Sequence, residues 1–132
     1  MKMWIEGYSV SKSIGTFADE LAFKKKFMQQ LKEDTEHVRD VLAIENSVEP
    51  GMPDIIVVRS DGRVSFIELK YSRRGVITFK KSQLPWYRRH NKLAIAVLIY
   101  NDLTTNIHMM TAAYLLENIS STSFRLEKED EL

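Results

Sequence analysis

The sequence predicts an α/β fold, a central mixed sheet flanked by helices, laid down in the order αβββαβ and followed by a weaker βα appendix. Three observations lead there. Apolar residues recur at helical spacing from Phe17 to Leu31, two branched apolar runs flank Ser60-Asp61-Gly62, and a second helical segment precedes the nearly unbroken apolar run Leu93 to Tyr100. At 132 residues, 44% of them hydrophobic, the chain has the size of one domain able to bury its own core. Residues 1–132 are therefore expected to form a single domain, with its core at about 16–100 and the appendix at 101–132.

The first helix is expected over about Phe17 to Asp34. There Phe17, Leu21, Met28 and Leu31 recur among lysines and glutamines, and Thr16 offers an N-cap with Asp19 three residues on. Val41 to Glu45 is a short run with branched residues, hence a strand, and Pro50-Gly51 marks a turn after it. Ile55 to Val58 and Val64 to Leu69 read as the arms of a β-hairpin. Beyond a basic loop a second helix is expected over about Phe79 to Asn91, kinked or starting late at Pro85, which lacks the amide hydrogen a helix interior needs. Leu93 to Tyr100 is apolar throughout, as a strand buried on both faces must be. Asn106 to Met110 reads as an edge strand and Ala112 to Asn118 as a short helix.

Without cysteine the chain has neither a disulfide framework nor a thiolate metal site, so any metal must sit on oxygen or imidazole ligands. His37, His90 and His108 lack ligand spacing, and nothing suggests a serine or cysteine nucleophile. No apolar run approaches the ~20 residues of a membrane span, and the N-terminal segment is charged where a signal peptide would be apolar. A cytoplasmic chain with no membrane partner is expected. The net charge of +1 hides a segregation: from Arg59 to Lys92, ten lysines and arginines stand against two acids. Such a stretch suits a phosphate-binding surface, because neutralising backbone phosphates releases counterions. A merely solvated basic face is the plainer alternative.

Glu68 and Lys70 lie two apart on one strand, so both side chains leave the same face, and burying them is costly unless they are paired or bound. The hairpin loop decides whether Asp54 joins them. A two-residue Asp61-Gly62 turn would set Asp54 across from Leu69, on the wrong face. A three-residue loop with Gly62 left-handed pairs Arg59 with Arg63 and sets Asp54 opposite Glu68, and glycine at the third loop position favours it. Two carboxylates on neighbouring strands can hold a hard divalent cation, and a lysine beside them can position or deprotonate a water. Those are the means of phosphodiester hydrolysis. The plainer alternative is a surface Glu68–Lys70 salt bridge beside a turn-forming Asp54.

Gly51-Met52-Pro53-Asp54, a strand, the Gly62 turn and Phe66-Ile67-Glu68-Leu69-Lys70 together resemble the GxPD…(F/I)E(V/L)K signature of the PD-(D/E)XK nucleases. The spacing and the downstream Gln83 are most similar to the small VRR-NUC and Holliday-junction-resolvase-like branch, common in phages, over roughly Ala18 to Tyr100. The resemblance implies a restriction-endonuclease-like core in which Asp54 and Glu68 bind magnesium or manganese, the Leu69 carbonyl adds a ligand and Lys70 serves the water. It further implies a first-helix glutamate at the metal. Glu20 is the best match, with Glu45 and Glu49 as rivals and a solvent-facing helix residue as the plainer reading. Gln83 matches a glutamine that begins the helix behind the active site, although a simple polar helix position fits nearly as well.

The activity so implied is a metal-dependent DNA endonuclease in the cytoplasm (that of the host cell if phage-encoded), with junction or branched DNA as one substrate class; the sequence leaves junction resolvase, nicking enzyme, flap nuclease and restriction-like endonuclease open. Arg73, Arg74, Lys80, Lys81, Arg88 and Arg89 are the expected phosphate contacts. Trp86 or Tyr87 can stack on a base, but aromatics at such spacing more often build core, and Trp86 is expected to be buried. A junction with two scissile strands would favour a homodimer, with Asn106 to Met110 as part of its interface. The alternative is a catalytically inactive nucleic-acid-binding or assembly module on the same fold, against which the intact Asp54, Glu68 and Lys70 argue.

Overall fold

A computed structural model describes residues 7–44 and 49–129. Along them run β1 (Tyr8–Ser11), α1 (Glu20–Glu33), β2 (Val38–Ala43), β3 (Ile55–Arg59), β4 (Val64–Tyr71), β5 (Val76–Thr78), α2 (Gln83–Arg89), β6 (Ala94–Tyr100), β7 (Ile107–Thr111), α3 (Ala112–Asn118) and β8 (Ser123–Arg125). The fold is mixed α/β. Six strands form a mixed sheet in the order β1-β7-β6-β4-β3-β2, and β5 pairs with β8 in a separate two-stranded ribbon. Only β4 and β6 are parallel; the connection between them carries β5 and α2.

Alternation along the central strands sorts the core onto two faces. Ile67 and Leu69 of β4 and Leu98 and Tyr100 of β6 face α1, whose Phe23, Phe27 and Leu31 recur every four residues and are buried. Val97 and Ile99 take the other face with Leu84, Trp86 and Tyr87 of α2 and Leu115 of α3. β6 is thus buried on both faces, as its composition required.

Several expected boundaries shift. α1 begins at Glu20 because Asp19, not Thr16, is its cap: the Asp19 carboxylate accepts the Ala22 amide at 2.9 Å. Its buried stripe is Phe23, Phe27 and Leu31, leaving Leu21 61% exposed, so the expected stripe through Leu21 and Met28 was rotated. β2 starts earlier than Val41 and ends at Ala43, and Glu45 lies outside the described residues. α2 starts late, at Gln83, which leaves Pro85 in its first turn where no helical donor is lost. β7 is not an edge strand, because β1 covers its outer side with four paired residues. That removes it as an open edge for a dimer. Among the described residues no helix is long and apolar enough to cross a membrane.

Candidate active site

The hairpin between β3 and β4 has the three-residue loop. Arg59 donates its amide to the Arg63 carbonyl at 2.8 Å, Gly62 has φ +86°, and the register runs Val58 to Val64 and Ile55 to Ile67. One step further sets Asp54 opposite Glu68. There the ladder opens: the Leu69 amide, which would bond residue 53 in a continued pairing, instead donates to Asp54 Oδ2 at 3.3 Å. The Leu69 carbonyl leaves the strand on the same side as its amide, toward Asp54.

Gly51 explains why the chain can reach this position. It has φ +92°, and a Cβ there would lie 2.1 Å from the Ser82 carbonyl oxygen. Only a glycine lets the loop before Asp54 press against the start of α2. That contact also sets Gln83 beside the carboxylates.

Gln83 is buried and makes three side-chain hydrogen bonds. Its Oε1 accepts from Lys70 Nζ at 2.9 Å and from the Lys80 amide at 2.8 Å, while its Nε2 donates to Glu68 Oε1. Two donors at the oxygen fix the orientation of the amide. Lys70 has no ion pair with Glu68; Gln83 joins them, and Lys70 Nζ also donates to the Thr78 carbonyl at 3.0 Å and lies 4.8 Å from the centre of the Phe79 ring. The simple surface salt bridge is therefore not what the chain builds.

The electrostatics follow from this enclosure. Burial, then the hydrogen bond and charge of Asp54, push the Glu68 carboxyl up to about 9 against the pull of Lys70 and Lys24. For Asp54, burial acts upward but is outweighed by the Glu68 hydrogen bond, the Lys24 charge and the Leu69 amide, so its pKa is lowered. Burial lowers the Lys70 pKa, with Glu68 and Asp54 opposing. Asp54 is thus the ionised member of a pair in which Glu68 holds the proton.

Lys24 of α1 went unnoticed in the sequence. Its Nζ lies 3.3 Å from Asp54 Oδ2 and 3.7 Å from Glu20 Oε1, so Glu20 reaches the site only through Lys24. The available signal was the spacing of Glu20 and Lys24, one helical turn apart. Glu49 lies elsewhere, 3.8 Å from Arg89 and 3.5 Å from His90. Among the described residues no group of three or more acids or histidines is gathered for a metal. Yet Asp54 and Glu68 suit a hard divalent cation: two carboxyls forced together, with the Leu69 carbonyl alongside, share a proton that such a cation can replace.

Arg73, Arg74, Lys80, Lys81, Arg88 and Arg89 are all exposed. Arg73 and Arg74 occupy the turn into β5, where Arg74 has φ +55°. That turn is held by Asp102, another residue missed in the sequence. Its carboxylate accepts from the Arg74 amide at 2.7 Å, the Gly75 amide at 3.0 Å and the Ser72 hydroxyl at 2.6 Å. Lys80 and Lys81 precede α2, and Arg88 and Arg89 end it, about 9 Å of helix beyond Gln83. Trp86 and Tyr87 are 2% and 0% exposed, so neither can stack on a base. Compared with known proteins, the chain matches no family model and no curated sequence.

Proposed function

We propose that this chain is a divalent-metal-dependent nuclease of the PD-(D/E)XK kind acting on DNA. The observation that carries the reading is the hydrogen-bonded chain Asp54–Glu68–Gln83–Lys70, in which one buried glutamine fixes the acidic pair relative to the lysine. Asp54, Glu68 and the Leu69 carbonyl would hold magnesium or manganese. Bound there, the metal would polarise a phosphoryl oxygen and acidify a water.

The remaining tasks fall to the chain. Lys70 directs two of its three hydrogens to Thr78 and Gln83, leaving one for an attacking water or a phosphoryl oxygen. Gln83 keeps Lys70 from collapsing onto Glu68, so the carboxylate and the ammonium remain separate tools. Arg73, Arg74, Lys80 and Lys81, exposed on either side of β5, supply phosphate contacts near Lys70. A DNA-binding module without cleavage is the second reading. It is favoured by Glu20 pairing with Lys24 rather than joining the acidic pair.

Cleavage of plasmid, branched and single-stranded DNA with magnesium or manganese separates the two. Asp54→Asn and Glu68→Gln are expected to abolish cleavage with the fold and DNA binding retained. Metal-dependent cleavage surviving in either variant would remove the assignment of the active site to Asp54 and Glu68, and absence of cleavage by the wild type would favour the binding module.

A further inference from the structure

Between α1 and the strands β2 and β3 runs a groove of about 790 Å³ that ends at Asp54 and Leu69. It lies away from the basic turn and α2, and none of its lining enters the account of phosphate contacts above. Its composition is mixed in a particular way. Lys25 and Lys32 are exposed and, among the described residues, have no ion pair, while Leu21, Met28 and Ile44 contribute apolar surface; besides Asp54 the lining has one acid, the exposed Glu33, which accepts from the Gln29 amide at 3.0 Å. Leu21 is exposed here because the buried stripe of α1 faces elsewhere.

Charge and apolar surface on one wall select among nucleic-acid forms. A duplex turns phosphates outward and keeps the faces of its bases stacked inside, so it can use the lysines but not the apolar floor. An unpaired strand offers both a phosphate backbone and free base faces. Lys25 and Lys32 are two helical turns apart, about 10 Å along α1, so they can contact separate phosphates of one strand. The groove is also continuous with the acidic pair through Asp54. Resting on the nuclease reading, we infer that this groove holds a single-stranded DNA segment adjoining the scissile phosphate, so that the substrate is DNA in which a duplex meets an unpaired tail.

The test uses the full chain in calcium, which should support binding with little cleavage. Fluorescence anisotropy compares a blunt hairpin duplex, the same duplex with a short single-stranded tail, and one whose tail is abasic. The tail is expected to tighten binding about tenfold, as two further phosphate contacts and base contacts should. Lys25→Gln with Lys32→Gln, both at exposed positions, should erase most of that gain and leave the blunt duplex unaffected. For the tailed DNA it should also reduce the magnitude of the log–log salt slope by about 1.4, at about 0.7 per single-strand phosphate. The abasic tail should keep the slope but lose part of the gain. A tail that adds nothing, a gain that survives the double substitution, or equal weakening of the blunt duplex would overturn the inference. Cleavage in magnesium on the same DNAs keeps the two readings apart: cleavage without a tail effect refutes the groove alone. A tail effect without any cleavage refutes the nuclease and leaves the groove.

Discussion

In the metal-free chain, Glu68→Gln should remove a pH dependence of stability that the wild type carries. The Glu68 carboxyl titrates at about 9 when folded, against 4.5 as its ordinary value, chiefly because it is buried and then because Asp54 adjoins it. Between those values the folded chain holds a proton that the unfolded chain releases. The stability this group contributes is therefore complete below 4.5 and is lost as pH rises toward 9. One proton of difference is worth about 1.4 kcal/mol per pH unit, so raising the pH from about 6 to about 8 removes up to about 2.7 kcal/mol. For a chain of this length that is roughly 10 °C in Tm. Glutamine is neutral at every pH, keeps an oxygen to accept from Gln83 and offers an amide hydrogen to Asp54. Thermal unfolding in a chelator, both proteins at each pH, isolates the effect. It cancels groups common to both, such as His108, whose burial lowers its pKa against the pull of Glu129 and so acts with the opposite sign. Magnesium should restore the wild type at the higher pH and leave the variant unmoved. Parallel decline of the two proteins would refute the reasoning.

The two glycines of the motif should respond differently. Gly62→Asn should be nearly neutral and Gly62→Val should cost about 1–2 kcal/mol, since a Cβ there meets nothing and only the left-handed backbone is at issue. Gly51→Asn should cost more than about 2 kcal/mol and abolish cleavage, because its Cβ would strike the Ser82 carbonyl; denaturant titration of the three variants decides both. Asp102→Ala should cost about 1–2 kcal/mol by the same assay and weaken DNA binding without flattening the salt slope, since it loosens the turn but keeps both arginines. Replacing Arg73 and Arg74 together should flatten that slope, and an unchanged slope would place the duplex contacts elsewhere.

The centre of the site was legible because it depends on local rules. Alternation put Glu68 and Lys70 on one face, and Gly62 at the third loop position chose the register that brings Asp54 to them. The short strands were not legible. β1, β5 and β8 have three or four residues each, and their identity as strands rests on partners distant in sequence, Tyr8 with Met110 and Ile77 with Phe124. Missing β1 made β7 look like an edge. Lys24 and Asp102 were hidden for a related reason. Each is an ordinary charged residue in its own segment, and its role exists only where a second segment meets it, the loop carrying Asp54 for one and the Arg74-Gly75 turn for the other.

The irregular pairing of β2 bears on how the protein behaves when concentrated. Val38 lies opposite Arg59 and Asp40 opposite Val58, so Arg39 is an extra residue that breaks the even spacing of the outermost strand, and its guanidinium turns back to the Ser60 carbonyl at 3.2 Å. An incoming strand needs an uninterrupted row of amides and carbonyls to extend a sheet. β2 offers only the stretch beyond the bulge, and β1 at the opposite margin has just four residues. Stacking of copies edge to edge into fibres is therefore obstructed at both margins.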